Sequence, residues 1–223
     1  MRDFYKILLL GGSGKGKTYT FNTLNPNKTG FINVENKPLP FPNSFKYETK
    51  CVTLAHAKQA LKEYADNKEI EVIVFDSLSS YMDMLLKESR DTKKGFDIWN
   101  HYNEEIGKLL HFIKSIQKEI FIVGHYEWVQ DEGGTKEKRA KVKGKEWEGT
   151  IEKEFLIVLY ANSKFNQVTK RPEYFLNLYE EDTSAKCPPN IFDKDLLTVP
   201  NDGQFIIDTI VKFSTEAYNK KIK

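Results

Sequence analysis

Only two cysteines occur among the 223 residues, Cys51 and Cys187, and they match no metal-ligand spacing. Their scarcity excludes a disulfide framework and predicts free thiols in a reducing compartment. Long apolar runs are also lacking. Residues 7–10 are apolar, but Gly11 and Gly12 end the run, so neither a secretory signal nor a membrane span is expected. Nor is one sign of charge in excess: 34 basic residues face 32 acidic ones, which leaves +2. Any attraction to nucleic acid must therefore be local, and no membrane partner is expected.

What is present is an alternation of strand and helix signals without internal repeats. The length suits one domain, residues 1–223. Residues 5–10 read as a buried strand and 16–24 as a helix, followed by a strand at 30–34 and a proline-broken loop at 38–44. Helical spacing at 53–65 leads into a strand at 71–76, and helical spacing at 97–117 into a strand at 119–124. Residues 131–149, polar and glycine-containing, read as a mobile basic loop. Strands are predicted at 155–161 and 174–179, the second after a Lys170-Arg171-Pro172 turn. A closing helix carries Ile206, Ile210, Phe213 and Ala217 behind the candidate caps Asn201 and Asp202. This pattern predicts an α/β fold, a mainly parallel sheet between helices. The last two strands form a C-terminal β-hairpin elaboration.

Gly11, Gly12, Ser13, Gly14, Lys15, Gly16, Lys17 and Thr18 satisfy G-x-x-x-x-G-K-[ST] between a predicted strand and a predicted helix. Glycines let backbone N–H groups turn inward around phosphates, and the helix start adds partial positive charge. Lys17 is expected to reach the β- and γ-phosphates of ATP, and the Thr18 hydroxyl to ligate Mg²⁺. Asp76 ends an apolar strand, where a second Mg²⁺-binding group must stand; the bland reading is a cap for the following helix. Glu35 ends another strand on the same expected edge and is placed to polarise the attacking water, or is simply an exposed loop residue.

These stretches, Gly11 to Thr18, Phe31 to Glu35 and Val72 to Ser77, resemble the successive core motifs of RecA-like P-loop NTPases. More closely, Trp99 to Tyr102, Phe121 to Glu127 and Ala185-Lys186-Cys187-Pro188 resemble bacteriophage RecA-core nucleotide-binding proteins associated with single-strand annealing. The resemblance implies a RecA-like fold, Mg-dependent ATP hydrolysis with Glu35 as catalytic carboxylate, and action on single-stranded DNA in phage recombination, annealing or replication. It implies a homo-oligomer or a single-strand-binding or annealing protein as partner, and the cytoplasm of a bacterial host. Unlike cellular recombinases, the chain carries no N-terminal domain before the first strand, so RecA-style filaments are not expected. By the same resemblance His125 is a γ-phosphate sensor and Lys186 a nucleotide-contacting cation in the same or a neighbouring subunit; each also has an ordinary structural reading.

Lys136, Lys138, Arg139, Lys141, Lys143 and Lys145 lie close together with Glu137 as the single interleaved acid. A flexible basic loop can follow a phosphate backbone, with Trp147 and Tyr126 available to stack bases. Two rival readings stand beside this one. A P-loop small-molecule kinase would need an arginine-rich lid, yet the four arginines, Arg2, Arg90, Arg139 and Arg171, are scattered. An ATP-binding regulatory module would act through a protein partner with little turnover.

Overall fold

The computed structural model describes residues 2–42, 44–130 and 134–221; position 43 of the expected proline-rich loop and positions 131–133 of the expected basic loop lie outside these. β1 (Lys6–Gly11) is buried at every position, as a strand covered on both faces must be. It leads through the glycine-rich loop into a 3₁₀ segment, Thr18–Thr23, where the sequence predicts an α-helix. The run Thr-Tyr-Thr-Phe-Asn-Thr is rich in β-branched and short polar side chains that compete with α-helix, and Pro26 keeps it short. β2 (Thr29–Asn33) and β3 (Tyr47–Lys50) pair in parallel. β3 escapes the sequence pattern because an edge strand of Tyr-Glu-Thr-Lys has no apolar run to display.

α1 (Leu54–Asp66) starts where the Thr53 hydroxyl accepts the His56 N–H at 3.2 Å. β4 (Val72–Asp76) is buried throughout. α2 (Leu78–Thr92) is missing from the sequence-based expectation, although Leu78, Tyr81, Met82, Leu85 and Leu86 recur at helical spacing behind the cap Ser77. α3 (Asp97–Ser115) and β5 (Glu119–Gly124) follow as expected.

The expected mobile loop needs correction. β6 (Tyr126–Gln130) and β7 (Lys136–Ala140) form an antiparallel hairpin, so the first half of the basic segment is strand; residues 141–149 carry neither helix nor strand. β8 (Ile157–Asn166) runs parallel to β1 and turns back into β9 (Arg171–Asn177), the predicted C-terminal hairpin. Arg171 already belongs to the strand rather than to the turn. β10 (Thr198–Pro200) extends that edge, and α4 (Gly203–Lys221) closes the described chain.

The large sheet has the order β10-β9-β8-β1-β5-β4-β2-β3, parallel from β8 to β3 and antiparallel at β8-β9-β10. Period-two alternation divides its apolar side chains between two cores. Leu8, Leu10, Ile73 and Phe75 face α1, α2 and α3, whereas Ile7, Leu9, Val72 and Val74 face Phe21 of the 3₁₀ segment and Ile206, Ile207 and Ile210 of α4. This is the α/β architecture expected from the sequence, a mainly parallel sheet between helices with a C-terminal β-hairpin. Its register sets Asn33, Asp76 and Val123 side by side and Leu10 beside Gly124, so β1, β2, β4 and β5 end along one line. No helix among the described residues is long and apolar enough to cross a membrane.

Candidate nucleotide-binding site

The line of strand ends opens into a cleft of about 560 Å³. Its floor is the glycine-rich loop, which needs its glycines: Gly14 and Gly16 have φ of +72° and +83°. A Cβ at Gly16 would also come within 2.6 Å of the Tyr174 ring, whereas Gly14 faces open space. Lys17 is buried, and its ammonium donates to the carbonyls of Gly11 and Gly12, each at 2.9 Å. Burial pulls its pKa below the ordinary lysine value, an effect that Asp76 and then Glu35 oppose.

Asp76, at the end of β4, is 5% exposed. The Thr18 hydroxyl donates to its Oδ2 at 2.8 Å. Burial pushes the carboxyl up to about 6 against that hydrogen bond, and the negative charge of Glu35 adds to the rise. A hydroxyl and a carboxylate joined in this way are the hard oxygen donors that Mg²⁺ takes when it also keeps water and substrate phosphates. Loop and donor pair therefore fit a Mg-nucleotide.

Glu35 lies just beyond β2, tied to β4 by its N–H donating to the Asp76 carbonyl at 3.3 Å. Its Oε1 is 3.4 Å from His125 Nε2 and accepts from Ser77 Oγ at 3.3 Å, while Oε2 pairs with Lys37 Nζ at 2.7 Å. His125 and then Lys37 hold the carboxyl down to about 2, although partial burial acts the other way. His125 follows β5 directly, and its Nδ1 lies 3.4 Å from Lys17 Nζ. One chain of contacts thus runs Lys17–His125–Glu35–Ser77, next to the Thr18–Asp76 pair. Residues far apart in sequence meet because four parallel strands end in register.

A family model described as an AAA domain matches residues 3–186. The chain belongs to the AAA-domain family. No curated protein matches the sequence. Among solved structures, a KaiC-like protein from the hyperthermophilic archaeon Pyrococcus horikoshii aligns with a TM-score of 0.48 at 14% identity, over 82% of each chain. This AAA domain is a P-loop NTPase.

Other expected positions fall outside the cleft. Lys186 forms a bridge with Val158 of β8 and is not among the residues that line the site. The six basic residues lie on and after β7. Lys138 is ion-paired with Glu180, Arg139 with Glu137 at 2.6 Å, and Lys143 with Asp83 at 3.4 Å. Lys136, Lys141 and Lys145 are exposed. The aromatic residues expected to stack bases turn inward: Trp147 packs on the core, and Tyr126 lies 5.9 Å from Tyr160. Trp128, on the same hairpin, is instead 56% exposed. Sequence reasoning also missed Lys37, Tyr19, Arg171 and Tyr174, which line the cleft. Only Tyr19, next to Thr18, lay close enough to the motif to be suspected.

Proposed function

We propose that this AAA domain binds ATP with Mg²⁺, hydrolyses it, and transmits the state of the cleft to a single-stranded-DNA-binding hairpin in phage recombination, annealing or replication. The observation that carries the reading is the Lys17–His125–Glu35 contact chain, because it joins the phosphate loop, the candidate catalytic carboxylate and the residue from which the hairpin departs. Lys141 N–H donates to the His125 carbonyl at 2.8 Å, so the second strand of the hairpin is fastened at its base to the same residue.

In this reading Lys17 neutralises the β- and γ-phosphates, and Thr18 and Asp76 hold the metal. Bound there, Mg²⁺ supplies further charge neutralisation on the transferring phosphoryl group. Glu35 orients the attacking water by accepting a hydrogen bond. A carboxyl held at about 2 by His125 and Lys37 is ionised near neutral pH and able to accept that hydrogen bond. His125, between Lys17 and Glu35, reports which contacts the cleft makes. On the hairpin, exposed Trp128 and Lys136 supply a stacking face and a phosphate-binding cation.

One observation favours a second reading, an ATP-holding module that acts through a protein partner: three of the six basic residues already have acidic partners. Phosphate release measured with and without single-stranded DNA separates the two. DNA-stimulated turnover in the wild type, lost in Glu35→Gln, is the expected result. Absence of turnover under both conditions would favour the module.

A further inference from the structure

One wall of the cleft has no part in the phosphate chemistry. Tyr19, Arg171, Pro172 and Tyr174 line it. The Tyr19 ring lies 5.9 Å from that of Tyr174, tilted by 39°, and 6.4 Å from that of Phe41, nearly edge-on. An aromatic row therefore crosses from the loop after β2, over the start of the 3₁₀ segment, to β9. Although it touches two other rings, Tyr19 remains 41% exposed.

The polarity of a bound nucleotide follows from the loop. Lys17, His125, Glu35 and Asp76 gather at the reacting end, linked by the contacts given above. Tyr174 instead closes on Gly16. The part of the nucleotide that is not phosphate must leave the loop along Tyr174 and Tyr19.

We propose that Tyr174 and Tyr19 stack the nucleobase, with Arg171 lying against its face, and that the site accepts nucleoside triphosphates with little discrimination among bases. This rests on the ATP-binding reading and extends it to the class of substrate. An aromatic face attracts any base, because every base has a π-face. Rejecting the wrong base takes polar groups placed on its edge that are left unpaired by the competitor. The wall offers tyrosine, proline and arginine side chains. The neighbouring amide, Asn201, is already engaged, donating to the Gly16 carbonyl at 3.0 Å and accepting from the Thr20 hydroxyl at 2.5 Å. Arg171 adds a planar cation able to lie against a ring without selecting one base.

The test is equilibrium binding of ATP, GTP and inorganic triphosphate, each with Mg²⁺, to the wild type, Tyr174→Ala and Tyr174→Phe. The wild type should bind ATP and GTP within about tenfold of one another. Tyr174→Ala should weaken ATP and GTP by about ten- to a hundredfold, the range for one base stack, while inorganic triphosphate binds as before. Tyr174→Phe should keep both. Unchanged ATP affinity in Tyr174→Ala would overturn the stacking role. An equal loss for ATP and inorganic triphosphate would overturn it too, by assigning Tyr174 to propping the loop at Gly16. A preference for ATP over GTP beyond about a hundredfold would overturn the lack of discrimination. Failure of the wild type to bind either nucleotide would overturn the ATP-binding reading itself, a result distinct from all of these.

Discussion

The Glu35 carboxylate makes contacts with His125, Ser77 and Lys37, and its charge is secured by the first and last of these. Replacing it by glutamine keeps the shape but weakens the acceptor. Glu35→Gln should therefore bind ATP normally and hydrolyse it roughly a hundredfold more slowly or worse, measured as steady-state phosphate release. Lys17→Ala should lose nucleotide affinity or turnover, because the lysine of the loop is the one spaced to follow charge onto the β- and γ-phosphates; wild-type affinity and turnover in that variant would sink the P-loop assignment. Asp76 has a consequence for stability. Its folded value of about 6 lies above the ordinary 3.8, so between these values the native state holds a proton that the unfolded chain has released. Stability without nucleotide must then fall as pH rises through that window. Glu35 is displaced the other way, from 4.5 to about 2, so its contribution is complete above 4.5 and is lost only as pH falls toward about 2. Between 4.5 and about 6 the slope from this pair belongs to Asp76. Urea unfolding of nucleotide-free Asp76→Asn should show that slope flattened; an unaltered slope would mean the buried carboxyl is not the source.

The elements around the cleft differ in how they are held. β1, β2, β4 and β5 lie inside the sheet with every position buried, so the residues at their ends are fixed by the ladder. The β6–β7 hairpin stands outside it and is fastened by polar contacts at its base and at its middle. Glu152 accepts the Ala140 N–H at 2.7 Å and the Ser184 hydroxyl at 3.2 Å, and the Tyr160 hydroxyl donates to the Lys138 carbonyl at 3.0 Å. The Lys138 N–H also donates to the Asp182 carbonyl at 2.7 Å, so the hairpin is held from its base to its midpoint. The pairing of its cations divides them into two groups with different expected behaviour. Replacing Lys136, Lys141 and Lys145 by alanine should weaken single-stranded-DNA binding across all sequences and reduce the salt slope by about two to three counterions, with nucleotide binding intact. Replacing Lys138, Arg139 and Lys143 should mainly loosen the hairpin, because these residues hold acids on the protein. Salt-dependent binding isotherms that failed to separate the two triples would contradict this division.

Across the whole molecule, a segment late in the chain, residues 201–202, meets the phosphate loop and the 3₁₀ segment after it. Asn201 bonds the Gly16 carbonyl and Thr20, and Asp202 accepts from the Thr23 hydroxyl at 2.7 Å while also capping α4 through the Phe205 N–H at 2.9 Å. The cap of the last helix is therefore also a brace for the 3₁₀ segment that follows Thr18. This bracing compensates for a segment whose own propensity for α-helix is poor. Asn201→Ala leaves the Gly16 carbonyl and the Thr20 hydroxyl without that partner. It should lower stability by about 0.5–1.5 kcal/mol in chemical denaturation, since the Gly16 carbonyl still accepts from Thr20, and reduce ATP affinity together with it. Loss of stability with full affinity would show that the loop holds its shape unaided.

The phosphate loop, the strand ending in Asp76, the strand before Glu35 and the alternation that makes the sheet parallel were all readable from the chain. Local chemistry decides each of them: glycine tolerance of positive φ, a lysine at fixed spacing, and short apolar runs that only a doubly covered strand can bury. Other features could not be read so. β3 and β10 owe their existence to neighbours that offer a free edge, and the hairpin forms in a polar segment because Glu152, Tyr160 and Ser184 are there to receive it. Which basic residues are paired, which tryptophan is exposed, and that Tyr174 and Arg171 line the cleft depend on strand order. Sequence distance carries no information about those meetings, since a sheet brings residues together by register and not by proximity along the chain.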